Sequence, residues 1–201
     1  MDINRSNNFM NTHLFLEKLK AVGKSYLSFR DLAKFYPGKK ENLKVVLYRL
    51  VAQNKLVRLM KGYYTLDLAQ VDWEQFACEL LRPSYISLEY ALHQYDIIDQ
   101  VPVRITLITT KKGREFRLPD QVLEYSHITP RLYFGYKIQG NFLIAEKEKA
   151  LLDELYLISL KKRHFSLEGL DISRINKKLF NQWLKKFPIY TQRLARKLRF
   201  K

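Results

Sequence analysis

Cysteine occurs once in the 201 residues, glycine seven times and proline six. The single cysteine, Cys78, excludes an internal disulfide framework, so burial of apolar surface has to hold the chain together. It falls between Phe76 and Leu80 in a helical pattern, which suits a small buried hydrophobe, and a reducing cytoplasm is the expected compartment. None of the glycines stands in a GxGxxG or GxxxxGK arrangement, so the usual phosphate cradle of nucleotide enzymes is missing. Apolar runs stop short of the ~18 residues that a membrane-spanning helix needs, and Met1 to Asn11 is polar without a signal-peptide core. No membrane association is expected. His93, His127 and His164 lie apart with no ligand spacing, so no metal and no other cofactor is expected.

Acids are scarce at both ends. Residues 1–70 hold thirteen Lys or Arg against five acids, residues 71–160 ten against thirteen, and residues 161–201 thirteen against two. The net +16 therefore divides into +8, −3 and +11. Two basic ends around a mildly acidic middle is the polarity expected when one face meets a polyanion and another does not. The 47% hydrophobic and 13% aromatic content suffices for cores in one large or two small domains and excludes a disordered tail.

Residues 12 to 66 carry the clearest order. Thr12 to Val22 reads as a helix with Leu14, Phe15, Leu19 and Val22 on one side, stopping at Gly23. Ser28 reads as the N-cap of a second helix, Phe29 to Tyr36, ended by Pro37-Gly38. From Lys39 to Asn54, Leu43, Val46, Leu47, Leu50 and Val51 recur at three- and four-residue steps and make a buried stripe. Lys40, Lys44 and Tyr48 form an outward strip, with Glu41, Val45 and Arg49 beside it. Leu56 to Met60 then alternates around Arg58, Lys61-Gly62 supplies a turn with a charge at its tip, and Tyr63 to Leu66 returns as a strand. This is the order of a winged helix-turn-helix, whose second motif helix enters the major groove of duplex DNA. The expected DNA contacts are Lys39, Lys40, Lys44, Tyr48 and Arg49 from the helix, and Arg58 and Lys61 from the hairpin. A solvated basic helix used for protein contacts is the plainer alternative.

A boundary is expected near residue 70, with residues 1–70 binding DNA and 71–201 forming a mixed α+β domain. Asp72–Leu81 reads as a connecting helix, and Tyr85–Gln94 as a helix capped by Ser84. Val103–Thr109 is a β-branched strand, Lys111-Lys112-Gly113 a charged turn and Glu115–Leu118 its return strand. Strands at Gln121–Ile128, Leu132–Ile138 and Asn141–Ile144 follow, then a helix over Glu146–Leu160 with Ala150, Leu151, Leu155 and Ile158 inward. The sheet is expected to be mostly antiparallel. Within that last helix Glu146, Glu148, Asp153 and Glu154 suit ordinary surface pairs, such as Glu146 with Lys149, better than a metal site. Ile172–Phe187 and Ile189–Phe200, broken at Pro188, read as two basic helices. Their Lys177, Lys178, Lys185 and Lys186, followed by Arg193, Arg196, Lys197 and Arg199, fit a nucleic-acid face, a partner's seat or a solvated surface alike.

Three stretches stand in a telling order: Ser84-Tyr85-Ile86-Ser87-Leu88-Glu89-Tyr90-Ala91-Leu92, then Ile105-Thr106-Leu107-Ile108-Thr109 with the basic turn Lys111 to Arg114, then Ile144-Ala145-Glu146-Lys147-Glu148-Lys149-Ala150-Leu151-Leu152-Asp153. Together they resemble the antitoxin of the AbiE abortive-infection system, a type IV toxin–antitoxin regulator family. The first is similar to its Y-[IV]-S-x-x-[ST]-A-L helix start, with Glu89 where a small hydroxyl residue is commoner, and the last to its closing A-x-x-E-K-A-L-x-D helix. With the amino-terminal elements the resemblance covers roughly residues 12–160. It implies an amino-terminal domain that represses its own operon, at an operator expected to be an inverted repeat. It also implies a second, non-enzymatic domain that opposes a nucleotidyltransferase toxin; the basic charge of the last helices then makes Lys177, Lys178, Lys185 and Lys186 the expected contacts to an acidic toxin surface. Two rivals remain. A winged-helix-targeted, metal-dependent nuclease would use Asp96, Asp99, Glu115 and Asp120, whose spacing lacks the strand-borne carboxylate pair plus lysine of such chemistry. A nonspecific nucleic-acid-binding protein would not favour one inverted repeat over random duplex.

Overall fold

The computed structural model describes the backbone of residues 3–198 and the side chains of residues 12–198. Among these the chain is α+β, with eight α-helices and nine strands in two sheets, and five of the seven strand pairings are antiparallel. Two compact units share it: one runs to Asp72 and takes in Leu118–Asp120, the other holds Trp73–Arg117 and the chain from Gln121 onward. No helix among the described residues is long and apolar enough to cross a membrane.

The first unit runs α1 (Ile3–Ala21), β1 (Leu27–Ser28), α2 (Phe29–Phe35), α3 (Lys40–Ala52), β2 (Val57–Met60) and β3 (Tyr63–Thr65). Helix α2 starts where it does because Ser28 and Asp31 cap each other. The Ser28 hydroxyl accepts from the Asp31 N–H at 3.1 Å, and the Asp31 carboxylate accepts from the Ser28 N–H at 3.1 Å. A cap of this kind is worth about 1 kcal/mol. Burial works against the Asp31 carboxylate, yet the hydrogen bonds from Ser28 and Lys24 hold it below its ordinary value. The helix stops at Tyr36, which is extended because it precedes Pro37. Leu43, Leu47 and Leu50 of α3 then close a core with Phe15, Leu19, Leu27, Leu32 and Leu56. Leu14 is half exposed, contrary to its expected inward place, because the buried stripe of α1 runs one residue further round through Phe15 and Leu19. Strands β2 and β3 turn at Lys61-Gly62, where the positive φ of 86° suits glycine, and β1 pairs with the other edge of β3.

The second unit contains α4 (Trp73–Leu80), β4 (Ser84–Ile86), α5 (Leu88–Gln94), β5 (Ile105–Thr109), β6 (Arg114–Arg117), β7 (Val122–His127), β8 (Tyr136–Gln139), β9 (Phe142–Ala145), α6 (Lys147–Ser159), α7 (Lys177–Leu184) and α8 (Ile189–Ala195). Its six strands lie in the order β6-β7-β5-β4-β9-β8, with β5/β7 and β4/β9 parallel. Several expectations are corrected here. Ser84–Ile86 is not the head of a helix but a central strand buried at every position; α5 begins only after Ser87. Strand β6 does not return on β5. It pairs with β7, which inserts between them, because β5 is buried at all five positions and needs covered neighbours, whereas β6 is mostly exposed and suits an edge. Leu132 belongs to a 3-10 turn, and the strand expected from it begins at Tyr136. Ile172–Phe187 is likewise not one helix. A 3-10 turn at Ile172–Arg174 comes first, and α7 restarts where the Asn176 side chain accepts from the Leu179 N–H at 3.1 Å. Helix α8 gives way to a turn after Ala195; Arg199 and Phe200, at the end of the expected helix, lie outside the described residues, as do Met1, Asp2 and the side chains through Asn11.

Candidate nucleic-acid interface

Helix α3 buries Leu43, Leu47 and Leu50, so its remaining side chains have to meet water or a ligand. Lys40, Lys44 and Tyr48 follow one another at single-turn spacing on the exposed side, and Lys39 stands exposed at the N-cap. Tyr48 is 77% exposed and Val45 49%, unusual for an aromatic and a β-branched residue on the helix of a small core. Arg49 is exposed too, but lies round the helix towards α1. The hairpin that follows offers Arg58, exposed in β2 with its Nε donating to the Met60 carbonyl at 3.4 Å, and Lys61 at the turn. Glu41 is the one acid in α3. Ammonium and guanidinium groups on flexible stems donate to phosphate oxygens or to guanine edges, and the Tyr48 hydroxyl can donate or accept. All seven residues expected to contact DNA are thus at the surface of one unit.

The second unit carries a group of charges that sequence reasoning missed. Helix α6 is buried without a break from Glu148 to Leu157, so its ionic groups need partners inside the protein. Lys149 and Asp153 are fully buried and paired with each other. The Tyr85 hydroxyl accepts from Lys149 Nζ at 2.7 Å and donates to Asp153 at 2.9 Å, and the Ser87 hydroxyl donates to the same carboxylate oxygen at 2.9 Å. The Lys149 ammonium also lies 5.3 Å from the ring centres of Tyr85 and Phe134 and 5.6 Å from that of Phe187. Gly135 is held close by: a Cβ there would stand 3.2 Å from the Lys149 stem and 3.0 Å from Trp183, at a φ of 71°. Burial pushes Lys149 down and Asp153 up, each opposed by the other's charge, and burial together with Asp153 pushes Tyr85 well up. The reading of these residues as surface pairs is therefore corrected. The available signal was the i, i+4 pair in a helix whose apolar residues cover every face.

Arg163 gathers a second set: it pairs with Glu89 and Glu124, while Arg104 bridges Glu124 at 2.8 Å and Glu115 at 3.2 Å. Glu154 lies 3.4 Å from Arg163 Nε, within ion-pair distance but outside hydrogen-bonding geometry, and among the described residues both its buried oxygens lack a hydrogen bond. Burial, and then the charge of Glu89, push its carboxyl up to about 8 against the pull of Arg163. Two buried carboxyl oxygens that find no donor among the described residues favour the protonated form. Glu148 accepts from the Asn176 N–H at 2.7 Å and so anchors the start of α7.

Lys177, Lys178, Lys185 and Lys186 are all exposed, two at each end of α7, and Lys186 Nζ sits 4.2 Å from the Phe134 ring centre. Cys78 is buried, with its thiol 3.5 Å from the Leu143 carbonyl. Among the described residues no group of three or more His, Cys, Asp or Glu is placed to hold a metal ion. Of the carboxylates in the nuclease reading, Glu115 is tied to Arg104 and Arg117 and Asp96 to Arg174, while Asp99 and Asp120 are simply exposed. Comparison with models of known protein families and with curated proteins returns no match.

Proposed function

We propose that the chain is a cytoplasmic winged-helix repressor and antitoxin: its first unit reads duplex DNA through α3, and its second opposes a nucleotidyltransferase toxin. The observation that carries the DNA reading is the exposed strip Lys40, Lys44 and Tyr48 on a helix whose other side closes a core. The element order, with a hairpin bearing Arg58 and Lys61 directly after that helix, supports the winged-helix assignment. So does the +8 charge of residues 1–70, since a polyanion is the partner such a surface attracts. The toxin reading rests on the resemblance of residues 84–160 to the AbiE antitoxins and assigns Lys177, Lys178, Lys185 and Lys186 to the toxin's acidic surface; growth rescue from a co-expressed nucleotidyltransferase, lost when the four are reversed to glutamate, is its test. The nuclease rival keeps no supporting observation, with Asp96 and Glu115 both committed to arginines.

Base reading and backbone holding separate in mutants. Lys44→Ala is expected to reduce discrimination between an inverted-repeat operator and random duplex by about 1–3 kcal/mol, whereas Lys61→Ala weakens both targets alike. Competition binding with the two duplexes measures this. Equal losses of discrimination from both variants would reduce α3 to an electrostatic face.

A further inference from the structure

The outermost line of α3 is not basic. Successive residues of a helix are about 100° apart, so Glu41, Val45 and Ala52 fall within roughly 30° of the direction opposite the buried Leu43, Leu47 and Leu50, with Val45 about 15° from it. Tyr48 stands about 60° from Val45. All four are exposed, Val45 by 49% and Tyr48 by 77%. The cations flank them: Lys40 and Lys44 lie beyond Tyr48, and Arg49 lies on the other side, about 40° from Val45. The seven DNA contacts named above make no use of Val45. In water alone it suits this position poorly, since a β-branched residue forms helix less readily than alanine and its methyl groups here face solvent.

We infer that Val45 reads the 5-methyl group of a thymine in the major groove, with the Tyr48 ring beside it. This base preference rests on the DNA reading of α3 and adds to it the kind of base that the helix selects. A helix seated in the groove puts its outermost side chains deepest, against the base edges, while those on its flanks reach the phosphates. An isopropyl group has nothing to offer a phosphate. Of the four bases only thymine carries an apolar group on its major-groove edge; the other edges present donors and acceptors that a valine would strip of water without pairing. Glu41, one turn before Val45, fits the same placement, because a carboxylate is repelled by phosphate and can accept from a base amino group. A partner protein's apolar face would cover Val45 but leave the cations on both sides to find acids elsewhere. A duplex supplies the methyl and the phosphates together.

The test uses the full chain and a duplex obtained by repeated selection from a random pool, prepared once with thymine and once with deoxyuridine in its place. The exchange removes the methyl groups and keeps the base pairs. Fluorescence anisotropy at fixed salt gives the two dissociation constants. Wild type is expected to bind the thymine duplex about fourfold more tightly for each methyl that Val45 covers, and so about fifteenfold where two half-sites supply one each. In Val45→Ala the two duplexes should bind within about twofold of each other. Val45 is half exposed on the outer side of α3 and alanine is the better helix former, so this variant tests the contact rather than the fold. Lys61→Ala should weaken both duplexes and keep their ratio. Equal binding of the two duplexes by wild type would overturn the inference and leave the DNA reading in place. So would a ratio that survives Val45→Ala, since the methyl groups would then be sensed elsewhere or through the shape of the duplex. A pool that yields no enriched duplex removes the reading and the inference together. Self-association in sedimentation that Val45→Glu abolishes makes the apolar line a contact between copies instead.

Discussion

Asp153→Ala is expected to destabilise the second unit by roughly 3–5 kcal/mol, because it strands a buried ammonium. Lys149 is fully buried, and among the described residues its ionic partner is Asp153 one turn along α6. The same substitution removes the acceptor of the Tyr85 and Ser87 hydroxyls, which tie β4 and the start of α5 to that helix. Lys149→Met should be milder, since Asp153 keeps both hydroxyl donors and can take up a proton, a state towards which burial already pushes it. The double variant Lys149→Met/Asp153→Leu should recover most of the loss, because a buried pair replaced by apolar groups is often neutral in stability. Urea denaturation followed by tryptophan fluorescence reads this directly, as both tryptophans, Trp73 and Trp183, lie in the second unit. A loss below about 1 kcal/mol for Asp153→Ala would show that the pair does not hold the unit together.

Glu154→Gln should change the pH dependence of stability more than any substitution at the surface. The folded carboxyl titrates at about 8, against an ordinary value of 4.5. Between those values the folded state holds a proton that the unfolded state has released, so stability falls as pH rises through that window and then levels off. At about 1.4 kcal/mol for each tenfold difference in proton affinity, this amounts to several kcal/mol by the upper end. A side-chain amide at this position cannot ionise. The variant should match the wild type below pH 4.5, be more stable above pH 8 and lose most of the slope between. Parallel stability curves across that range would mean that Glu154 is charged in the fold and balanced by Arg163.

The first unit was largely legible in sequence because, over the described side chains, its helices bury one side and leave the other exposed, and half burial writes a period of 3.6 into the chain. Leu43, Leu47 and Leu50 announced α3 in this way, and Ser28 announced α2 through its cap. The second unit hid its organisation for two physical reasons. Strand neighbours there are chosen by burial rather than by proximity in the chain, so the fully buried β5 takes β7 and β4 while β6 is pushed to the edge. Charges inside α6 read as solvated because spacing alone does not separate an exposed Lys–Asp pair from a buried one; apolar residues on every face of the helix are the one hint of burial, and the fold brings Tyr85, Phe134 and Phe187 around Lys149 and the Ser87 hydroxyl to Asp153. Likewise, Arg163 meets Glu89 and Glu124 across long stretches of sequence, which no local pattern encodes.

The most direct test of the DNA reading is equilibrium binding of the full chain to duplex from upstream of its own reading frame, measured against salt concentration. If the α3 strip and the hairpin together neutralise about five phosphates, the log–log slope should be near −4 to −5, and Lys40→Ala/Lys61→Ala should reduce it by about two. A slope near zero, or one unchanged by that double substitution, would contradict the account.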